Sequence, residues 1–209
     1  MTLDGERTRC AMLTTALSLI VAIGLGGCGS GGNPFDNPST VSHPSAAGGQ
    51  KLSYAYFQRC VEPIFLTPLQ INLNGTVATN TCAASGCHDY TSGTGGAFRI
   101  VPTAVAINVT DPANTPDVIR ASDMYKNFSS AQGEVVIGMA NDSRLLNKPL
   151  LRGILHGGGL VFASAQDPNA KLIDYWISHP APQGQDEFST ATYNMFTPAD
   201  PIAGTCNTN

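Results

Sequence analysis

The heptapeptide Cys82-Ala83-Ala84-Ser85-Gly86-Cys87-His88 constrains this chain more than any other stretch. Two thiols followed at once by an imidazole match the chemistry of c-type haem attachment. The sulfurs add across two porphyrin vinyl groups, and the histidine, pinned beneath the ring, ligates the iron. The usual form has two residues between the cysteines, and this chain has four, so Ser85 and Gly86 have to bulge out to keep both sulfurs over one porphyrin edge. The competing reading is a Cys82–Cys87 disulfide, with His88 facing water beside Asp89. A disulfide needs no particular residue after its second cysteine, whereas iron ligation needs the one that is present. A structural zinc site finds no second cysteine-histidine pair at finger spacing. The stretch therefore implies one covalent haem c, held by Cys82 and Cys87 as thioethers, with His88 as the proximal iron ligand.

The N-terminus reads as a leader rather than as part of the fold. Arg7 and Arg9 precede an apolar run from Ala11 to Leu25, short for a bilayer span and typical of a secretory signal. The run ends in Leu25-Gly26-Gly27-Cys28, which resembles the lipobox of bacterial lipoproteins. That resemblance implies a signal peptide over residues 1–27 and acylation of Cys28. With Gly29 rather than aspartate next, it also implies the outer membrane. A simple signal peptide cleaved nearby, or a transmembrane anchor, is the alternative. Residues 28–50 are Gly, Ser, Pro and Asn with almost no apolar content, which cannot offset the entropy of ordering them. They read as a flexible tether that places the domain about 25 Å from the anchor on average, with His43 a solvated linker residue.

One domain remains, residues 51–209, long enough for a core of its own. The chain is mildly acidic, with a formal charge of −4 and its charges interspersed, so no basic stripe offers a nucleic-acid surface. Cys10 leaves with the signal and Cys28 carries lipid, so four cysteines are left: Cys60, Cys82, Cys87 and Cys206. Haem attachment consumes one pair. The other is Cys60 with Cys206, a disulfide joining the two ends of the domain and suited to an exported protein.

Hydrophobic periodicity predicts a helix from Ser53 to Phe65, bent or ended by Pro63, then an irregular loop over residues 67–81 that delivers Cys82. Phe98 to Val109 is apolar and β-branched and suggests a short extended piece. Thr115-Pro116-Asp117 starts a helix running to about Ser130, Asp142-Ser143 caps another over Arg144 to Leu151, and Asp167-Pro168-Asn169 opens the last, which His179-Pro180 ends. Tyr54, Phe57 and Trp176 are expected to join first and last helices in the core. His179 is explained by the helix C-terminus it caps.

In that order, FQRCVEPIF (57–65), the Cys82–His88 motif, GGAFR (95–99), SRLL (143–146) and KLIDYWI (171–177) resemble a class I cytochrome c-like domain related to the planctomycete-type bacterial cytochrome c domains. The resemblance implies a mainly α fold, a small helical domain with long irregular loops, carrying one haem for electron transfer. Many relatives place a Met-Pro-Pro ligand loop before the tryptophan helix. Here His156-Gly157-Gly158-Gly159 stands in that place, and its three glycines would let the backbone press closely against a flat partner. His156 is therefore the first candidate for the distal ligand and Met139 the second; Met124 and Met195 are weaker. No Ser-His-Asp order, phosphate loop or paired carboxylates suggest a separate catalytic site. The expected function is single-electron transfer between redox proteins of the cell envelope, from a lipid anchor facing periplasm or cell surface. The rivals are a haem-free, disulfide-stabilised binding or assembly lipoprotein, and a haem sensor or enzyme with an open iron position. If Cys28 is the anchor, Cys28→Ser should release the domain from membranes or stall its processing, which fractionation of the envelope reads directly.

Overall fold

Ser53 starts the fold, and its backbone is extended where the helix begins. Its hydroxyl accepts the Tyr56 N–H at 3.2 Å, capping the helix, while its carbonyl accepts the indole N–H of Trp176 at 2.9 Å. The computed structural model describes residues 49–209. The signal peptide, Cys28, His43 and nearly all of the tether lie outside the described residues.

The first helix runs as α1 (Tyr54–Tyr56), a π-helical turn (Phe57–Val61) and α2 (Glu62–Leu66). Pro63 has no N–H to give and its ring crowds the carbonyl four residues back. Rather than ending there, the helix widens: the Glu62 N–H reaches the Phe57 carbonyl, five residues back, and helical backbone continues to Leu66.

Where the sequence suggests an irregular loop, the chain forms a β-hairpin. Strands β1 (Leu69–Leu73) and β2 (Thr76–Asn80) pair antiparallel from Leu69↔Asn80 to Leu73↔Thr76. Their two-residue turn, Asn74-Gly75, has φ of 52° and 87°. Two successive positive φ values are what a type I′ turn requires, and Asn-Gly is its preferred sequence.

The expected helix from Thr115 to Ser130 is two helices, α3 (Pro116–Arg120) and α4 (Asp123–Gln132). Ser122 breaks them, with extended backbone and a hydroxyl that accepts the Tyr125 N–H at 3.1 Å as a fresh N-cap. Helix α5 is shorter than expected, Arg144–Asn147, and α6 is Pro168–Ser178, capped by Asp167. Phe98 to Val109 forms no strand; one bridge, Asp89↔Ile100, is its sheet-like contact. A 3₁₀ turn (Thr190–Met195) and the short pair β3 (Phe196–Thr197) and β4 (Thr205–Cys206) close the chain.

The expectation of a mainly α, cytochrome c-like helical domain is thereby corrected. Helices of all kinds make up 32% of the described residues, divided among short pieces beside two small antiparallel strand pairs. That share is ordinary for a globular protein, so the domain is a small mixed fold. Helix caps are local signals and easily read. The strands form because a turn and a distant loop select them.

The core is aromatic. Phe57 on the π turn packs on Trp176 of α6 at 5.2 Å between ring centres and on Phe128 of α4 at 5.5 Å. All three side chains are almost fully buried. Such pairs contribute about 0.5–1.5 kcal/mol each beyond the area they bury. Cys60, on the same π turn, is disulfide-bonded to Cys206 of β4, as expected. A loop of this length contributes roughly 2–4 kcal/mol. Among the described residues no helix is long and apolar enough to cross a membrane.

Glu62 is the anomaly of this core. It is 2% exposed and accepts a 2.7 Å hydrogen bond from the Asn127 amide, while its second oxygen has no partner. Burial pushes its pKa up to about 7. The folded chain thus holds this proton more tightly than the unfolded one. The stability due to neutral Glu62 is complete below the unfolded carboxyl pKa and is lost as pH rises through about 7. Glu62→Gln should abolish that loss and gain on the order of 2–3 kcal/mol over the wild type at pH 8, measured by chemical unfolding from pH 5 to 8.

Candidate haem-binding site

Backbone hydrogen bonds build the Cys82–His88 loop onto the end of α2. The Ala83 N–H bonds to the Phe65 carbonyl at 3.0 Å, and the His88 N–H closes the loop on the Cys82 carbonyl at 2.9 Å. Ser85 and Gly86, the two additional residues, are exposed, so the insertion bulges toward solvent. Asp89 stiffens the next turn of chain: one carboxylate oxygen accepts the Thr91 N–H, the Ser92 N–H and the Ser92 hydroxyl. Those donors hold its pKa below the usual carboxylate value.

Cys82 and Cys87 are both free thiols. Burial, reinforced by Cys87, pushes the Cys82 thiol up to about 12.

His88 donates from Nδ1 to the Phe98 carbonyl at 3.1 Å and packs against the Phe98 ring. His156 donates from Nδ1 to the Gly159 carbonyl at 2.7 Å. A carbonyl only accepts, so both rings carry their proton on Nδ1 and leave the Nε2 lone pair free, the tautomer of an oriented metal ligand. Burial is the main cause that holds both imidazoles below the usual histidine pKa, and the Lys148 ammonium adds to it at each ring. Both are neutral at pH 7. Their planes lie within 12° of parallel, with ring centres 6.4 Å apart.

Both rings line one cavity of about 430 Å³, together with Cys82 and Cys87. Its walls are largely apolar, with Phe65, Phe98, Leu145 and Phe162 among them, and Leu69 and Ile71 of the hairpin close one side. Enclosed, mostly apolar cavities of a few hundred Å³ with few polar groups are the common form of a cofactor site.

Backbone fit explains two glycines. A Cβ on Gly95 would stand 2.6 Å from the His88 ring, so only glycine lets the 93–96 loop pass beside His88. Gly159 has a φ of 76°, and a Cβ there would stand 2.3 Å from the Asn72 carbonyl of β1. The glycine run thus presses on the hairpin at Gly159, whereas the sequence suggests a flat partner along all three. Asn72 and Leu160 exchange two backbone hydrogen bonds, of 2.8 and 2.9 Å, just beyond it.

The structure thus brings together Cys82, Cys87, His88 and His156. It does not bring Met139, which is half-buried at the entry to a 3₁₀ turn and does not line the cavity. Met124 and Met195 are core residues, and His179 donates to the Tyr175 carbonyl at the end of α6. Among the described residues no three or more His, Cys, Asp or Glu side chains converge as a metal cluster. Two thiols and two imidazoles spread around one cavity are a poor fit to a closed zinc centre, which draws four such groups onto one ion.

They fit a planar macrocycle with a metal at its centre. Metal–imidazole bonds of about 2 Å on both sides, with each ring centre about 1 Å beyond its nitrogen, place the two centres about 6 Å apart. The 6.4 Å between the two near-parallel rings is close to that spacing. No family model, curated protein or solved structure matches this chain.

The hairpin's part in the site is not among the expectations drawn from the sequence, although Asn74-Gly75 signals it. Gly159→Ala is expected to destabilise the fold by about 1–3 kcal/mol, because it adds both a clash and backbone strain. Gly133→Ala, which meets nothing closer than 3.4 Å, should be near neutral in the same thermal unfolding series.

Proposed function

We propose that the chain is a c-type haem protein that transfers single electrons in the cell envelope, with Cys82 and Cys87 as thioether donors and His88 and His156 as the two axial ligands. What carries this reading is the imidazole pair: neutral, nearly parallel, each with Nδ1–H tied to a backbone carbonyl, 6.4 Å apart across a cavity that both motif thiols line.

Bound there, haem supplies a one-electron iron couple. The chain's own residues do the rest. His88 and His156 are oriented before binding, so little rearrangement accompanies a change of charge between them. The Phe98 and Gly159 carbonyls, as acceptors of the Nδ1–H bonds, raise the basicity of both Nε2 atoms. The apolar walls exclude water. With His88 and His156 both holding the metal, no coordination site would be left for a substrate, which favours electron transfer over catalysis or gas sensing. Lipidation at Cys28 and a tether over residues 28–50 would place the domain among redox proteins of the envelope, one a donor and another an acceptor, at the outer membrane.

The test is expression with export and a haem-attachment system. The purified protein should carry the mass of one haem that survives denaturation, show a low-spin ferric spectrum without the weak red band of sulfur ligation, and bind no carbon monoxide. His156→Ala should open the iron to carbon monoxide. Exported, folded protein without haem would sink the reading. Carbon monoxide binding by the wild type, or a sulfur band in its spectrum, would sink the bis-histidine assignment.

A further inference from the structure

The cavity has one polar feature that neither the thiols nor the imidazoles explain. Arg144 and Lys148 are the only cationic side chains among its lining residues, and they stand four residues apart at the two ends of α5. On a helix that spacing places both on one face. The local chemistry does not account for them. Arg144 meets Glu134, also a lining residue, through Nε only and at 3.7 Å, and its side chain remains 60% exposed. Among the described residues Lys148 has no ion-pair partner at all, although it lines the same cavity as His88 and His156. Two cations against the single carboxylate of Glu134 leave the cavity lining with a net positive charge.

A macrocycle attached through its vinyl groups at Cys82 and Cys87 has its orientation in the cavity restricted. Its two propionate carboxylates lie on the edge away from the thioethers, and each carries a full negative charge that apolar walls cannot solvate. Guanidinium and ammonium groups supply charge-assisted hydrogen bonds of the kind carboxylates favour, Arg in a fork and Lys as a point charge.

We propose that Arg144 and Lys148 form the anion-binding end of the cavity and hold the two porphyrin carboxylates, selecting a dianionic tetrapyrrole over a neutral one; this rests on the proposed haem site. α5 then has a purpose beyond packing. Its buried Leu145 and Leu146 anchor it to the core, while Arg144 and Lys148 flank them at the cavity. Glu134, the one carboxylate in the lining, pairs with Arg144 and leaves Lys148 unpaired.

The test uses the full mature chain with Cys82→Ala and Cys87→Ala, so that binding is reversible, and two probes: ferric haem and its dimethyl ester, which differ only in the two carboxylate charges. Haem should bind at least tenfold more tightly than the diester. In the same chain carrying Arg144→Gln and Lys148→Gln the two affinities should converge, with haem losing the advantage and the diester little changed. Arg144→Lys should restore part of the discrimination. Retention of the Cys60–Cys206 disulfide and of an unchanged unfolding midpoint would show that the substituted chains are folded. Equal affinity for the two probes in the chain with both cations would overturn the clamp and leave the haem site standing, as would an equal loss for both probes in the doubly substituted chain. Binding of neither probe by any folded variant would overturn the haem site itself, and the clamp with it.

Discussion

The contact between Phe57 and Trp176 is the one on which the rest of this structure depends. It joins the start of the domain to its last long helix, and the Trp176 indole N–H fixes the geometry by donating to the Ser53 carbonyl. Everything near the cavity is referred to that join. The π turn that carries Phe57 also carries Cys60, so the disulfide is placed by the same turn. Helix α2 continues from it and presents the Phe65 carbonyl that receives the Cys82–His88 loop. Removing the Phe57 ring, which packs on the Phe65 ring of the cavity wall, would therefore disturb the site although Phe57 itself does not line it.

The second fixed relation is between the hairpin and the His156 loop. A two-stranded hairpin alone is marginal in water, and this one is mostly exposed along both strands. It gains its place from the paired hydrogen bonds of Asn72 with Leu160. Those bonds set the segment just after His156, as the Phe98 carbonyl sets His88. The two imidazoles are thus positioned by separate parts of the chain and meet because each part is tied to the same body.

Legibility in the sequence depends on the range of each signal. Cys82, Cys87 and His88 are readable because their chemistry demands adjacency. Asp167 and Thr115 are readable because a cap acts within three residues. His156 is found by its place before the tryptophan helix, although its glycines serve close approach only in part: Gly159 meets a strand. The hairpin escapes notice because Gln70, Asn72, Thr76 and Thr79 dilute the alternation, so that only Asn74-Gly75 marks it. Ser122 looks like a helix-interior residue, where serine is tolerated, and acts instead as a cap. Arg144 and Lys148 carry no motif at all. Their relation to the cavity exists only once α5 is packed.

The Cys60–Cys206 bond makes the segment between them a closed covalent ring, with a sequence separation of 146. The hairpin, both histidines, the motif cysteines and α3 to α6 all lie inside it. A protease that cuts once within the ring, at an exposed position such as Val105 or Leu155, opens it to a line but frees no fragment. Two cuts are needed to shed a piece. Damage at a single loop therefore leaves His88 and His156 on one connected molecule, still joined through Cys60 to the chain that leads back to the N-terminus.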